Sequence, residues 1–197
     1  DSGLTGANIV LLDIITYLSE NSDYKINVIY PSLSSEIFNR LKVLKVEIFH
    51  LSKISNRFKI FKRLIYYIKY CMLLFTIRPS LVYSNTMFNF SNVYISSLFG
   101  FKTLIHLHEG KNILEKYKPK TIFSAQKVKS FITVSNYSKR TFAPYFKKSE
   151  FTTIYNGIKL LEKELKYIKE IKSISVIGSI DRNKNQLLAI KAIEEIN

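Results

Sequence analysis

Short apolar runs alternate with longer helical patterns along this chain, and this alternation constrains the fold more than any other feature. Runs rich in Val, Ile, Phe and Tyr predict strands at residues 25–30, 46–51, 80–84, 102–107, 130–134 and 151–155. Helices are predicted between them, at residues 9–18, 34–41, 57–77, 90–99, 120–127 and 135–145. Strands separated by helices indicate βαβ units, and near-continuous apolar strands indicate a sheet covered on both faces. The sequence therefore predicts an α/β fold with a doubly wound, parallel, Rossmann-like sheet.

The pattern changes after residue 158. Residues 159–172 are charged and repetitive, as in a linker, and residues 173–178 and 185–196 predict a new strand and a new helix. We therefore expect a first domain at 1–158, a linker at 159–172 and the start of a second Rossmann-like domain at 173–197. One βα unit cannot close a domain, and the glycine loop at 1–8 has no strand before it, so we expect both ends to be cut.

The charge is strongly basic and unevenly distributed. The 30 Lys and Arg residues outnumber 15 acidic ones, and residues 40–78 hold ten basic residues against Glu47 alone. Such a surface attracts anions, among them lipid headgroups, nucleic acids and phosphorylated substrates. The predicted helix at 57–77 has two interpretations: an amphipathic helix with its basic face in water, or a helix that also binds an anionic membrane surface.

Membrane-spanning and secretory segments are not expected. The longest apolar stretch, residues 64–77, is interrupted by Lys69 and is shorter than the roughly 20 residues that span a bilayer. No signal peptide is recognised. The single cysteine, Cys71, allows no intrachain disulfide and suits a reducing cytoplasmic setting. We expect a cytoplasmic protein. Peripheral attachment to the inner face of the plasma membrane is a second interpretation that is compatible with this location.

Candidate catalytic residues follow the predicted strand at 102–107. Because side chains alternate along a strand, His106 and His108 lie on one face, and His108 is nearer the carboxyl end, where open α/β sheets bind ligands. With Glu109 beside it, His108 suits acid–base work or the orientation of a hydroxyl group. A buried structural histidine is the alternative. A metal site from these three residues is the weakest interpretation, because Glu109 would face the other side, and we expect neither metal nor cofactor.

Other candidate binding residues lie in loops that follow strands or precede helices. Glycines let backbone amides approach a phosphate, a helix N-terminus favours negative charge, and Lys and Arg add direct contacts. Each such loop has an ordinary turn or helix cap as its alternative. The candidates are Gly3, Gly6, Ser135, Asn156, Gly157, Arg182 and Lys184.

The order of these segments resembles the family 4 glycosyltransferases of the GT-B fold. The most specific segments are FITVSNYSKRTF at 131–142, TTIYNGI at 152–158 and SVIGSIDRNKNQLLAIKAI at 175–193. The resemblance implies two facing Rossmann-like domains and transfer with retention of configuration, from a nucleotide sugar to a polysaccharide or glycolipid acceptor. It implies that Gly3 and Gly6 lie near the donor phosphates, His108 at the reaction centre and Lys184 at the diphosphate.

Two departures from the family pattern affect the donor side. Ser179 stands where the family often has Arg, so either Arg182 substitutes for it or the phosphate is bound more weakly. The family's paired-glutamate segment would lie beyond Asn197, so these 197 residues are not expected to be active alone. The alternatives are a nucleotide-sugar epimerase of similar fold and a non-catalytic basic module on a membrane. Nucleic acid is not an expected partner, because no recognised binding motif is present.

Overall fold

The chain has an α/β fold in which all the strands that the structure describes pair in parallel. The computed structural model describes residues 5–30, 34–51, 59–116, 127–157, 175–176, 178 and 185–195. Nearly all of the predicted helix at 120–127, the whole linker at 159–172 and half of the predicted strand at 173–178 lie outside these residues.

Each predicted strand of the first domain overlaps an observed one, and their ends differ by at most two residues. The strands are β1 (Ile26–Tyr30), β2 (Val46–His50), β3 (Val82–Ser84), β4 (Thr103–Leu107), β5 (Ser130–Thr133) and β6 (Glu150–Thr153). The helices between them are α1 (Gly6–Asn21), α2 (Ser35–Lys42), α3 (Lys59–Ile77), α4 (Phe90–Leu98) and α5 (Asn136–Phe142). Short 3-10 turns lie at Met87–Asn89 and Ala143–Tyr145, and residues 111–116 are helical.

Two helices end where the sequence predicts. The residue before a proline is disfavoured in the α region; Arg78, which precedes Pro79, has φ 48° and follows the last residue of α3. Beyond α4, Gly100 has φ 82°, and the Phe101 amide donates to the Ser96 carbonyl at 3.1 Å. Glycine adopts this left-handed conformation without steric cost, and the chain can therefore turn directly into β4.

The strands form two sheets. One contains β1 and β2, and the other has the order β3-β4-β5-β6. A cavity of about 150 Å³ lies between them, lined by Asn27 and Ile29 of β1 and by Tyr83 of β3, among others. The buried Asn27 Oδ1 has no hydrogen-bond partner.

Each sheet has its own hydrophobic core. Leu12 and Ile15 of α1 pack with Ile37 and Leu41 of α2 against the β1–β2 sheet. The larger core, around the β3–β6 sheet, includes these buried side chains: Phe90, Val93, Ile105, Leu107, Phe131 and Phe142. Their burial stabilises the sheet whose carboxyl edge carries the candidate site.

The chain divides into two compact units, residues 1–157 and 158–197. In the second unit the structure describes α6 (Gln186–Glu194), which overlaps the helix predicted at 185–196. Arg182 and Lys184 lie outside the described residues, as does Gly3 in the first unit. None of the helices within the described ranges is long and apolar enough to cross a membrane.

Candidate functional site

The carboxyl ends of β3, β4 and β5 meet at one edge of the larger sheet because these strands are parallel. Asn85 directly follows β3, His108 directly follows β4, and Ser135 lies just beyond β5. In open α/β sheets this edge is where ligands bind. The sheet therefore brings three polar residues from distant parts of the sequence to one place.

His106 and His108 lie side by side at this edge. Their ring centroids are 4.2 Å apart, with 42° between the ring planes. The alternation of side chains along β4 places them on one face, as expected. His106 belongs to the strand and is buried, whereas His108 is half-buried. His108 is therefore the imidazole that a ligand can reach.

Asn85 connects His108 to the N-terminal turn of α1. The Asn85 Nδ2 donates to the Ala7 carbonyl at 2.8 Å, and its Oδ1 lies 3.2 Å from the His108 Nε2. Because the first hydrogen bond fixes the orientation of the amide, Oδ1 can only accept, and His108 must donate through Nε2. A neutral His108 with its proton on Nε2 has a free lone pair on Nδ1, which can accept a hydrogen bond from a substrate hydroxyl.

Tyr83 holds the inner histidine. The Tyr83 hydroxyl lies 2.6 Å from the His106 Nδ1 and also lies 3.4 Å from the Asn85 Oδ1. The His106 Nε2 is buried without a hydrogen-bond partner. Burial also raises the pKa of Tyr83, so its hydroxyl keeps its proton. Tyr83, His106, Asn85 and His108 therefore form one connected polar cluster.

Burial also determines the charge of the two histidines. Desolvation, together with the nearby His108, lowers the pKa of His106 to about 4. Desolvation lowers the pKa of His108 as well. Both imidazoles are therefore neutral near pH 7, and His108 is an acceptor of hydrogen bonds or protons at physiological pH.

The Glu109 carboxylate faces the backbone. Its Oε1 accepts from the Met87 amide at 3.0 Å, and its Oε2 accepts from the His108 amide at 3.1 Å. Desolvation raises the pKa of Glu109, and the backbone amides partly oppose this shift. Glu109 thus joins the loop after β3 to the loop after β4. This geometry suits positioning of His108, and the catalytic role expected for Glu109 stays a prediction.

Ser135 acts as a helix cap at the same edge. Its Oγ accepts from the Ser138 amide at 3.1 Å, and the Ser138 hydroxyl donates to the Glu109 carbonyl at 3.0 Å. Caps of this kind satisfy the free amides at the start of a helix. The start of α5 is thereby attached to the loop that carries His108, and substrate binding by Ser135 stays a prediction.

The glycine candidates are divided between the site and its surroundings. Gly6 opens α1 next to Ala7, the residue that Asn85 contacts, and no heavy atom lies within 4 Å of the place where its Cβ would be. Asn156 and Gly157 are exposed after β6, two strands from β4 in the sheet. The structure therefore connects Ala7, the neighbour of Gly6, to His108 through Asn85, whereas Asn156 and Gly157 follow a strand that is separated from β4 by β5.

A metal site is not evident in the part of the chain that the structure describes, which contains no group of three His, Cys, Asp or Glu residues able to hold an ion. Both Glu109 oxygens accept from backbone amides, so these hydrogen bonds do not direct the carboxylate to the His106 or His108 ring. That the protein needs no metal stays a prediction.

Tyr83 and Asn85 were not predicted from the sequence as site residues. A signal for Asn85 exists, because it directly follows β3 just as His108 directly follows β4. Polar residues after neighbouring parallel strands meet at one edge once the strand order is known. Tyr83 gives no such signal, because a tyrosine within an apolar strand is indistinguishable from an ordinary core residue.

Comparisons with known proteins identify the family. The family model described as Glycosyltransferase Family 4 matches residues 4–160. Among solved structures, the chain is similar to Anabaena HepE, crystallised in complex with UDP and glucose, with 18% identity and a TM-score of 0.57. The match covers 80% of this chain and 43% of HepE, so this chain spans less than half of that protein. No curated protein sequence matches it. The fold is that of the Rossmann-like GT-B glycosyltransferases, and the chain belongs to glycosyltransferase family 4.

Proposed function

We propose that the chain forms the acceptor side of a retaining glycosyltransferase, which moves a sugar from a nucleotide sugar to a polysaccharide or glycolipid acceptor. The observation that carries this proposal is the link from Ala7 through Asn85 to His108. A helix N-terminus that favours phosphate and a neutral imidazole that accepts from a hydroxyl are thereby held next to each other. These are the two functions that sugar transfer from a diphosphate requires.

The chemistry divides between these groups. The acceptor oxygen forms a bond to the anomeric carbon as the sugar–phosphate bond breaks. The electron pair of the broken bond passes to the diphosphate, which also takes up the proton of the acceptor hydroxyl. The amides at Gly3 and Gly6, with Arg182 and Lys184 from the second domain, stabilise the charge that develops on the diphosphate. His108 accepts a hydrogen bond from a hydroxyl of the reacting sugars at Nδ1. Glu109 keeps the His108 backbone in place.

The biological setting follows from the same proposal. HepE binds UDP and glucose, which supports a nucleotide sugar as the donor of this enzyme. Neither a metal nor a further cofactor has a role in the proposed chemistry. The acceptor belongs to cell-surface polysaccharide biosynthesis, and the reaction takes place on the cytoplasmic side of the membrane, where the free thiol of Cys71 stays reduced.

The test is a transfer assay with protein from the whole reading frame that contains these residues. Radiolabelled UDP- and GDP-hexoses are offered with membrane extracts as acceptors, and the anomeric configuration of the product is read by NMR. We expect label to enter the glycolipid or polysaccharide fraction with retention. Conversion of the donor to an epimer without any acceptor would favour the epimerase alternative, and absence of turnover with every donor would favour a non-catalytic module.

A further inference from the structure

The outer face of α3 carries a continuous stripe of exposed apolar side chains. Phe61, Leu64, Ile65, Ile68, Met72 and Phe75 are each between 36% and 67% exposed. Each of them lies three or four residues from another member of the set, which places all six on one side of the helix. From Phe61 to Phe75 the stripe is about 21 Å long, at the usual rise of about 1.5 Å per residue. The side of α3 that faces solvent, which the sequence predicted to be basic, is therefore largely apolar.

The opposite face of α3 attaches the helix to the protein. Tyr70 and Leu74 are buried, and the Tyr70 hydroxyl lies 2.8 Å from the Ser96 Oγ of α4. Burial raises the pKa of Tyr70 to about 12, so this hydroxyl stays protonated and can donate. Tyr66 adds a second attachment, because its hydroxyl accepts from the Asn92 Nδ2 at 2.9 Å. The orientation of the helix is thus determined by its inner face, and the stripe is left outside.

The stripe continues onto the end of α4. The Phe75 ring lies 5.1 Å from the Phe99 ring and 6.0 Å from the Phe101 ring, centroid to centroid. Phe99 and the neighbouring Leu98 are about half exposed. The apolar surface therefore extends beyond one helix, and clusters of this kind on a protein surface mark interaction sites.

The charge around the stripe has a single sign. The α3 sequence contains Lys59, Lys62, Arg63 and Lys69 and no acidic residue. Lys69 is exposed and borders the stripe next to Ile68, and Arg78 directly after the helix is exposed as well. Arg63 is also exposed, but it lies two turns before the buried Tyr70, on the inner side of α3, where its guanidinium lies 5.8 Å from the Tyr67 ring centroid. An apolar stripe with cations beside it is complementary to an anionic bilayer, whose headgroups bind the cations while the acyl region takes up the apolar side chains.

We propose that the apolar stripe of α3, with Leu98 and Phe99, docks this protein on the surface of an anionic membrane. The helix lies in the plane of the interface, with its apolar side chains a few ångströms below the headgroups. This inference does not depend on the proposed glycosyl transfer, because it rests on surface exposure and charge and not on the His108 cluster. A membrane-bound acceptor would then be presented to an enzyme that already lies at the membrane.

The first experiment measures partition of the full chain into sedimenting vesicles made of phosphatidylglycerol and phosphatidylcholine. The test variant is the double substitution Ile68→Glu and Met72→Glu. The matched control is Tyr24→Glu with Val43→Glu, which removes two exposed apolar side chains and adds the same charge elsewhere on the surface. We expect the test variant to lower partition about tenfold or more, and the control to lower it less than about twofold. Circular dichroism checks that both variants keep their fold.

A second readout locates the stripe within the bilayer. The chain contains no tryptophan, so Phe75→Trp introduces a single reporter, and Tyr24→Trp gives the matched reporter away from α3. We expect blue-shifted emission and quenching by brominated acyl chains for the first reporter only. Three results would each overturn the proposal: no binding to anionic vesicles, equal loss of binding in both double variants, or self-association of the chain that the α3 substitutions abolish in place of membrane binding.

Discussion

His106 makes the stability of the first unit depend on pH between about 4 and 6.5. It is 4% exposed, its Nε2 has no partner, and its pKa falls from the ordinary 6.5 to about 4. In this pH range His106 therefore binds a proton in the unfolded chain but stays neutral in the folded chain. At a pH above the pKa that His106 has in the unfolded chain, His106 does not lower the free energy of unfolding. The free energy of unfolding decreases as the pH falls from there towards the pKa that His106 has in the folded chain.

The size of the effect follows from the two pKa values. One pKa unit corresponds to about 1.4 kcal/mol, so a shift from 6.5 to about 4 amounts to about 3 kcal/mol in the limit of low pH. At about pH 5 most of this penalty is already present, and we expect His106 to lower the free energy of unfolding by about 2 kcal/mol relative to about pH 7.5. His108 acts in the same direction, whereas the raised pKa of Glu109 acts against it.

The assay compares the wild-type chain with His106→Gln, because the difference between them cancels most of the contribution of Glu109. Urea unfolding followed by circular dichroism gives the free energy of unfolding at about pH 7.5 and about pH 5. We expect the wild type to lose about 2 kcal/mol more than the variant between these conditions. Equal losses in the two proteins would refute the burial of a neutral His106.

Three further substitutions test the site and its support. Asn85→Asp places a carboxylate beside the His108 Nε2, and NMR titration should show the His108 pKa raised by about one to three units. Glu109→Gln leaves either the Met87 or the His108 amide without an acceptor, and urea unfolding should show a loss of about 1–3 kcal/mol. Phe142→Ala empties a fully buried site and should cost about 3–5 kcal/mol in the same measurement.

Each of these predictions has a contradicting outcome. An unchanged His108 pKa in Asn85→Asp would mean that Nε2 does not face Asn85. Wild-type stability in Glu109→Gln would mean that the carboxylate does not hold the two loops. For the core position, Tyr137→Ala in the same helix is the matched control, since Tyr137 is 60% exposed and should change stability by less than about 0.5 kcal/mol. Similar losses in both variants would contradict the core assignment.

The strands of the first unit could be predicted because each is a short apolar run between polar turns. Helix ends were also predictable where a residue type determines the backbone, as Pro79 does after α3 and Gly100 after α4. The division into two sheets could not be predicted, because pairing depends on which strands are adjacent in space and not on local pattern. The sequence did not predict that the outer face of α3 is apolar, because the residue types alone do not show which side of the helix packs on α4.

The candidate site was predictable in part. The position of His108 at a strand end and its side-by-side placement with His106 follow from alternation along β4. The hydrogen bond from Asn85 to Ala7 joins residues 78 positions apart, and no local pattern indicates it. The direction of the Glu109 carboxylate depends on where β4 ends and on the 3-10 turn that presents the Met87 amide. Both hydrogen bonds join residues that are far apart in the sequence, so they depend on the tertiary structure and cannot be predicted from local sequence patterns.

The most direct test of the account is turnover by His108→Ala in protein from the whole reading frame, with a nucleotide sugar and acceptor that the wild type uses. The matched control is His50→Ala, which removes an exposed imidazole at the end of β2. We expect His108→Ala to lower kcat about tenfold or more, because a hydroxyl of the reacting sugars loses its hydrogen-bond acceptor, while circular dichroism shows an intact fold. We expect the control to keep wild-type turnover. Unchanged kcat in His108→Ala would contradict the placement of the reaction centre at this edge of the sheet.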